Sequence, residues 1–448
     1  MTGTETVKIN ERELVLDILL LVTRDGVHCH LATGQVLEKY QFLEKKSRAF
    51  ISRLTQGTLE RMIELDYVID CYSKTPVKKM KPVIRCILRS AVYQLLYMDS
   101  VPASAACNEA VRLAGKRGFA GLKGFVNGVL RTISRAQASG ELQTKYPDEK
   151  KEPIRALSIR NSIPLWPVRQ WTDTYDYATA KKICEAFLKE RPTAIRVNTD
   201  KTSVEELSEE LGAAGVTVEP VESCPDALFI SGYDYLNRIP AFVRGDFYVQ
   251  DLSSMQAALA AEVQPGWNVI DVCAAPGGKA IHVAQLLRGS GHVEARDLTE
   301  YKVDLILENM DRCQVENMSA KVWDATVRDD AAVGTADLVI ADLPCSGLGV
   351  LHSKPDIKYN MSKEQTMELA QLQREILAVV SEYVKPGGRL VYSTCTVNRG
   401  ENEDNAVWFA DTHPEFEKKS EQQILPSDRQ DGFYIAVFDR VLGARETS

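Results

Sequence analysis

Apolar residues in the first third of the chain recur at intervals of three and four. Leu14, Ile18 and Leu21 show this spacing first, and similar groups continue to Ile133. Such spacing places the apolar side chains on one face of a helix, which a globular protein buries. The pattern predicts an all-α bundle over residues 1–140, with one helix beginning near Pro82.

The helical pattern stops in a polar stretch and then changes character. The stretch from Gln137 to Pro153 is rich in charged residues, and we expect a linker at 141–154. Beyond it, a helix-like segment at Ala178–Leu188 precedes the strand-like Ala194–Asn198, and short apolar strands recur up to Gln250. This mixture predicts a small α+β, RRM-like module over residues 155–255.

Strand-like and helix-like segments alternate over residues 256–448. The predicted strands are 269–274, 292–297, 319–323, 337–342, 389–395 and 433–439, and the helices are 280–287, 302–313, 364–384 and 401–410. Regular alternation is typical of an α/β doubly wound sheet, Rossmann-like in its connections. Ligands of such sheets bind beyond the carboxyl ends of the strands. The sequence thus predicts a multidomain protein whose last domain holds the binding site.

Composition and charge narrow the function classes. Apolar residues make up 44% and charged residues 26% of the chain, as in globular proteins. No apolar run approaches the roughly 20 residues of a membrane span, and Met1–Asn10 lacks the pattern of a secretory signal. We therefore expect a cytoplasmic protein with no membrane partner. We also expect a monomer, although no residue pattern in the sequence determines the oligomeric state.

The net charge of −8 is distributed unevenly. Residues 1–150 hold 23 Lys/Arg and 16 Asp/Glu, a net +7, whereas the remainder carries −15. A basic front end is typical of a module that contacts RNA, although a solvated helix face would give the same count. The residues that could contact phosphates are Lys78, Lys79, Lys81, Arg85, Arg89, Arg112, Lys116, Arg117 and Lys123.

One glycine-rich turn stands out in the last domain. The run Asp271-Val-Cys273-Ala274-Ala275-Pro276-Gly277-Gly278-Lys279 leads from a predicted strand into a predicted helix. Glycines allow the backbone to approach a ligand closely at a helix N-terminus. The run matches neither a Walker A loop nor the GxGxxG fingerprint. An ordinary tight turn is the alternative interpretation.

Acidic residues and cysteines follow the predicted strands. Asp297, Asp324 and Asp342 end three consecutive strands, where carboxylates can bind hydroxyl or amino groups of a nucleoside-like ligand. Each alone would equally suit a helix N-cap. Cys345 and Cys395 lie just past strand ends among Pro, Ser, Thr and Gly, which favours exposed, reactive thiols over buried ones. The ten cysteines contain no CxxC pair, so we expect neither disulfides nor a metal site.

Several segments together resemble one known family. The runs DVCAAPGGK, DLPCSGLG with HSKPDIKY, and YSTCT resemble the signature of RNA cytosine-carbon-5 methyltransferases. Arg196-Val-Asn198, Gly245 and Tyr248-Val-Gln-Asp251 resemble their small RNA-binding domain. Residues 88–133 resemble the NusB helical fold. The order of the three parts is similar to that of the RsmB (Sun/Fmu) family of ribosomal RNA methyltransferases, over nearly the whole chain.

The resemblance implies a cofactor, a substrate and residue roles. The cofactor would be S-adenosyl-L-methionine, bound by residues 273–279 with Asp297 on the ribose, Asp324 at the adenine and Asp342 close by. The substrate would be a cytosine of small-subunit (16S) ribosomal RNA. By family analogy Cys395 attacks carbon 6, Cys345 assists release, and Asp342 contacts the ring; the residues alone do not order the two cysteines. Lys279 could face either cofactor or substrate.

Three other functions remain open from the sequence. The same chemistry on transfer RNA is a close rival, since only the NusB-like part favours ribosomal RNA. A non-catalytic RNA-binding assembly or antitermination factor would need neither the cysteines nor the strand-end carboxylates. A nicotinamide-dependent enzyme is disfavoured by the missing GxGxxG fingerprint.

Overall fold

The computed structural model describes residues 10–40 and 42–442. Residues 1–9, which carry most of the segment where we expect no secretory signal, lie outside this range. The described chain forms two compact units, one of the residues up to 188 with 351–360 and the other of 189–350 with the residues from 361. The predicted bounds at 140, 154 and 255 divide the chain by sequence pattern and stay predictions. Within the described residues no helix has the length and apolarity to cross a membrane.

The secondary structure confirms the predicted fold class, with helices first and mixed elements later. The α-helices are α1 (Glu11–Thr23), α2 (Cys29–Glu38), α3 (Lys45–Glu60), α4 (Met62–Tyr72), α5 (Pro82–Tyr97), α6 (Ala103–Lys116), α7 (Lys123–Ala138), α8 (Pro153–Arg160), α9 (Leu165–Thr174), α10 (Tyr177–Ala186), α11 (Val204–Ala213), α12 (Pro240–Val243), α13 (Leu252–Ala260), α14 (Gly278–Leu286), α15 (Glu300–Cys313), α16 (Ile357–Asn360), α17 (Lys363–Val380) and α18 (Glu403–Thr412). The strands are β1 (Thr193–Val197), β2 (Thr217–Pro220), β3 (Ala227–Ser231), β4 (Phe247–Val249), β5 (Asn268–Asp271), β6 (His292–Asp297), β7 (Met318–Val322), β8 (Ala336–Asp342), β9 (Val384–Thr394), β10 (Phe416–Ile424) and β11 (Phe433–Arg440).

The first unit is helical because its apolar stripes pack against one another. Helix α5 begins at Pro82, as predicted, and buries most of its length against α1, α3, α4, α6 and α7. Leu88 and Leu130 are fully buried in this core. Helices α8 and α9 belong to the same unit, although the sequence pattern assigned residues from 155 onward to the mixed module.

Residues 351–360 also belong to the first unit, and their polar side chains are buried there. Lys358 donates from Nζ to the carbonyl of Glu60 at 3.0 Å, and burial lowers the pKa of Lys358 to about 8. Tyr359 donates to the carbonyl of Leu59 at 2.5 Å. Asp356 is 3% exposed and lies 3.1 Å from Nδ1 of His28. This segment, the HSKPDIKY run, is therefore part of the helical core.

The second unit begins with a four-stranded antiparallel sheet of order β2-β3-β1-β4. The side chains of Arg196 and Asn198, at the end of β1, are buried and bond to Gln285 of α14. Asn198 also donates to the carbonyls of Gly245 and Cys313. A Cβ on Gly245, where φ is +75°, would collide with the carbonyl of Arg312. These contacts hold the small sheet against α14 and α15.

A seven-stranded sheet of order β10-β11-β9-β8-β5-β6-β7 completes the unit. Strands β9, β8, β5, β6 and β7 are parallel, and helices cover both faces. The chain runs outward from β5 to β7 and then returns to β8, so β5 and β8 flank the topological switch point. Ligands of doubly wound sheets bind outside the strand ends at this point.

One strand of the large sheet was missed by the sequence analysis. Strand β10 pairs with β11 in an antiparallel hairpin at the sheet edge. Its central side chains are exposed and mostly charged or amide-bearing, so it lacks the apolar alternation by which strands are found. Charged residues on an edge strand oppose pairing with further chains.

Candidate active site

The carboxyl ends of β8 and β9 bring three of the predicted site residues together. The two strands pair in parallel with Asp342 opposite Ser393, and Ser393 Oγ donates to Asp342 Oδ1 at 2.8 Å. Cys345 lies three residues beyond Asp342, and Cys395 lies two beyond Ser393. Because the strands are in register, both cysteines emerge at the same edge of the sheet.

Lys279 reaches this edge from the glycine-rich turn. Helix α14 starts at Gly278, and Gly277 supplies the left-handed N-cap with φ +106°. Lys279 Nζ donates to Asp342 Oδ2 at 2.7 Å and lies 4.9 Å from the centre of the Phe433 ring. Burial alone would lower the pKa of Lys279, but the carboxylate of Asp342 raises it above its usual value. Lys279 is therefore an ammonium paired with Asp342.

The two cysteine sulfurs are in direct contact. Cys345 Sγ lies 3.2 Å from Cys395 Sγ, and both residues are half-buried. The hydrogen bond shared with Cys395, followed by burial, raises the pKa of Cys345 well above its usual value. Lys279 interacts electrostatically with Cys395. The pair thus consists of a Cys345 whose thiol form is favoured and a Cys395 on which the charge of Lys279 acts.

A buried carboxylate that the sequence analysis missed joins the two cysteine loops. Glu401 is fully buried and accepts hydrogen bonds from the backbone N and the Oγ of Ser346, at 2.7 and 2.6 Å. It also accepts from Asn398 Nδ2 at 2.6 Å and from Gln373 Nε2 at 3.3 Å. Ser346 Oγ is 2.8 Å from Thr396 Oγ1. The sequence showed only an acidic residue near a helix start, which is usually exposed.

The glycine-rich turn and Asp297 form a second part of the site. Asp297, at the end of β6, is 3% exposed and accepts from the backbone N of Ala275 at 3.0 Å. Its other oxygen accepts from the N of Leu298 at 2.8 Å and pairs with Lys302 at 2.9 Å. Ala274 N donates to the carbonyl of Arg296 at 2.9 Å. The turn is thereby fixed against the end of β6.

Asp324 follows β7 and is more open. Its Oδ1 accepts from Thr326 N and Oγ1, at 2.9 and 2.7 Å, and these bonds lower the pKa of Asp324. The residue is exposed. Apolar side chains accompany the two acids: Leu298, next to Asp297, is 57% exposed and Val327, three residues after Asp324, is 53% exposed.

Asp271, at the end of β5, is a further acidic residue, for which the sequence predicted no role. It is fully buried, one oxygen accepts from Cys273 N, and Oδ2 has no partner in the described structure. Burial and then the charge of Asp342 raise the pKa of Asp271 to about 8. Burial also raises the pKa of Cys273, a residue of the turn that packs against the core of the sheet and whose thiol form is favoured.

The basic residues predicted to contact phosphates differ in exposure and in their ion pairs. Lys78, Lys79, Lys81 and Lys123 are exposed. Arg112 and Lys116 pair with Glu109 and Glu13, and Arg117 pairs with Asp17. The prediction for Arg89 is wrong, because its guanidinium is buried and forms a bidentate pair with Asp66 at 2.6 Å. Its position on an apolar helix face could have signalled burial.

Family models match three successive parts of the chain. Residues 9–135 match the NusB family, residues 163–233 match the ferredoxin-like domain of RsmF/B-like methyltransferases, and residues 258–439 match the 16S rRNA methyltransferase RsmB/F model. These matches confirm the predicted resemblance and the order of its three parts.

Curated relatives extend the match to nearly the whole chain. A probable ribosomal RNA small subunit methyltransferase B of Bacillus subtilis (strain 168) is 35% identical, over 96% of this chain and 98% of its own length. One of the same description from Synechocystis is 32% identical, over 96% and 99%. The chain belongs to the RsmB/F methyltransferase family. Its cysteine pair and glycine-rich turn thus lie in the methyltransferase part of a family member.

Solved structures share the architecture. The crystal structure of PH0851 matches with a TM-score of 0.81 at 25% identity, covering 97% of this chain and all of that one. A methyltransferase homologue from Pyrococcus horikoshii matches with a TM-score of 0.57 at 27% identity, covering 64% of this chain and 99% of that one. The predicted combination of a NusB-like bundle, a small α+β module and a Rossmann-like domain is confirmed.

Proposed function

We propose that this protein methylates carbon 5 of a cytosine in small-subunit ribosomal RNA, through a covalent adduct with Cys395. The observation that carries the proposal is the cluster of Cys395, Cys345, Asp342 and Lys279 at the ends of β8 and β9. Covalent catalysis suits this reaction because carbon 5 of cytosine is a poor nucleophile until carbon 6 is attacked.

Cys395 is the residue proposed to attack carbon 6. Its thiolate is proposed as the attacking species, because the thiolate and not the thiol is the nucleophile, and Lys279 interacts electrostatically with Cys395. The hydrogen bond to Cys395 and burial raise the pKa of Cys345. Cys345 is proposed to give its proton to the departing sulfur of Cys395, when a base removes the carbon-5 proton and the carbon 6–sulfur bond breaks. The two neighbouring cysteines are thus proposed for two different roles, whose order the residues alone left open.

Asp342 and Lys279 are proposed to hold the base. Asp342 accepts from Lys279 and from Ser393, so its carboxylate is fixed at the mouth of the cysteine loops. A carboxylate there can accept a hydrogen bond from the amino group of the cytosine, and the ammonium can donate to the ring carbonyl, where negative charge develops during attack. Lys279 thereby faces the substrate, one of its two predicted directions.

The methyl donor is proposed to be S-adenosyl-L-methionine, which supplies an electrophilic methyl group when bound. The residues fit such a group: the backbone turn at 273–279 lies beside Asp297, and Asp324 is exposed next along the sheet. We propose Asp297 for the ribose hydroxyls and Asp324 for the adenine amino group. The exposed side chains of Leu298 and Val327 are suited to the apolar faces of a purine.

Ribosomal RNA is favoured over transfer RNA by the helical unit and by the relatives. The curated relatives are described as ribosomal RNA small subunit methyltransferases, and a NusB family match covers residues 9–135. Exposed Lys78, Lys79 and Lys81 are proposed to contact phosphates. We expect the protein to act in the cytoplasm as a monomer.

The test is methyl transfer from labelled S-adenosyl-L-methionine to transcripts of small-subunit RNA and of transfer RNA. We expect label in cytosine carbon 5 of the ribosomal transcript, and loss by at least about 1000-fold in Cys395→Ala, as for removal of a nucleophile. Cys345→Ala is expected to retain attack but to accumulate a covalent protein–RNA complex on denaturing gels. If the wild type methylates transfer RNA and not ribosomal RNA, the proposed substrate is wrong. If Cys395→Ala remains active, the proposed mechanism is wrong.

A further inference from the structure

The contact between the two cysteine sulfurs has a geometry that allows a second reaction. A disulfide bond is about 2.05 Å long, so sulfurs 3.2 Å apart need to approach by only about one ångström to bond. The two residues are half-buried, so each keeps part of its surface accessible. No strand or helix has to move, because both cysteines follow strand ends that are already in register.

The surrounding hydrogen bonds keep the sulfurs together. Ser346, next to Cys345, bonds to Thr396, next to Cys395, at 2.8 Å. Glu401 accepts from the Ser346 backbone, and the N of Gly349 donates to the carbonyl of Cys395 at 3.1 Å. The two loops are therefore tied on both sides of the sulfur contact. Fixed proximity of this kind raises the rate at which one thiol meets the other.

We propose that Cys345 and Cys395 form a site of reversible oxidation, at which a peroxide converts the two thiols into a disulfide. The proposal of a disulfide bridge between these two cysteines is based on the geometry of the pair. Its effect on methyl transfer rests on the function proposed above, because the bridge occupies both sulfurs and leaves neither for attack or release.

The reaction balances with the peroxide as the oxidant. The Cys395 thiolate attacks one peroxide oxygen; an S–O bond forms, the O–O bond breaks, and the departing hydroxide takes a proton to become water. Cys345 sulfur then attacks Cys395 sulfur; an S–S bond forms, the S–O bond breaks, and hydroxide leaves with the Cys345 proton as a second water. Two thiols lose two electrons in total, and one peroxide becomes two water molecules.

Other cysteines are less suited to this reaction. Cys86 and Cys184 are buried, and burial raises the pKa of each thiol. Cys71 is exposed, and partial desolvation of its thiol still raises its pKa. Thiolates react with peroxides and thiols do not. The direct contact of two sulfurs, 3.2 Å apart, distinguishes the proposed site.

The experiment treats the reduced wild-type protein with a small molar excess of hydrogen peroxide and then blocks free thiols with iodoacetamide. We expect a mass decrease of about 2 Da before alkylation and a proteolytic fragment pair joined through Cys345 and Cys395. Dithiothreitol should restore both thiols. Where methyl transfer is measured in parallel, it should fall as the bridge forms and return on reduction.

Two variants make the assignment specific. Cys71→Ser removes an exposed thiol outside the pair and is expected to retain the bridge. Cys345→Ser is expected to lose it, and Cys395 should instead gain oxygen in a form that dithiothreitol does not fully reverse. Cys395→Ser serves as a second variant, checked by thermal unfolding, should Cys345→Ser fold poorly.

The outcomes separate this proposal from the proposed function. If the disulfide forms but the reduced protein shows no methyl transfer, the proposed function is wrong and the proposed oxidation site is supported. Oxidation of Cys395 in the wild type to its sulfinic acid without a bridge would overturn the site, and so would a disulfide mapped to other cysteines.

Discussion

The strand ends that carry the cysteines and the lysines that precede α5 hold their charged groups in opposite ways. At the strand ends, Glu401 is fully buried and Asp342 is bonded to Lys279 and Ser393. In the helical unit, Lys78 and Lys79 are exposed in a short turn. A buried charge is costly unless it is bonded, so it persists only with its partners in place. An exposed charge is screened and acts only on what approaches it.

This difference predicts that substitutions at the strand ends act on chemistry and that substitutions at the lysines act weakly on affinity. It also explains why the sequence predicts the role of the lysines more readily than the role of the buried acid. Clustered lysines are visible as charge, whereas the role of a buried acid depends on partners far along the chain.

Apart from removal of the proposed nucleophile Cys395, the largest expected effect is at Glu401. In Glu401→Ala, Ser346 loses the acceptor for its backbone N and Oγ, so both cysteine loops lose their shared anchor. We expect kcat for methyl transfer to fall by about 10- to 100-fold, the cost of misplacing reacting groups by about an ångström, with little change in KM for RNA.

The control for this variant is Glu368→Gln, an exposed acid on α17 that should leave kcat unchanged. Thermal unfolding of Glu401→Ala separates loss of positioning from loss of fold. A folded Glu401→Ala protein with wild-type kcat would show that the cysteine loops hold their geometry without this carboxylate.

A smaller effect is expected at Asp271, and it depends on pH. The pKa of Asp271 is raised to about 8 in the fold, against about 4 for an unfolded chain. The folded state therefore binds more protons between these values, and its stability falls as pH rises from about 4 to about 8. Asp271→Asn removes this term, so its unfolding free energy should rise relative to wild type across that range.

Urea unfolding of both proteins at about pH 5 and about pH 8 measures the difference. Asp330→Asn, at an exposed acid, provides the matched control. A gap between Asp271→Asn and wild type that stays constant with pH would show that Asp271 titrates normally.

The smallest effect is expected from the lysines. The double variant Lys78→Ala with Lys79→Ala removes two exposed charges, and RNA affinity should fall by a few-fold at low salt. The slope of log affinity against log salt should become shallower by about one to two, while kcat stays unchanged. Filter binding over a salt series measures this, with Lys363→Ala on α17 as a control. A large fall in kcat would contradict the comparison between the two regions.

Much of the architecture followed from local pattern. Three- and four-residue spacing predicted the helical unit, and Pro82 marks the start of α5 as expected. Alternating strands and helices predicted the parallel part of the large sheet, with β6 at the predicted residues. Strand β10 was not predicted, because an edge strand buries few side chains and therefore shows little alternation of apolar residues.

The sequence by itself determined which residue types stand at the strand ends, and from them the resemblance to a methyltransferase family. Only the tertiary structure decided which of these residues meet. The register of β8 and β9 sets the two sulfurs in contact, burial places Glu401 between their loops, and packing removes Arg89 from the basic surface. Each of these depends on residues distant in sequence, because burial and partner choice are properties of the packed chain.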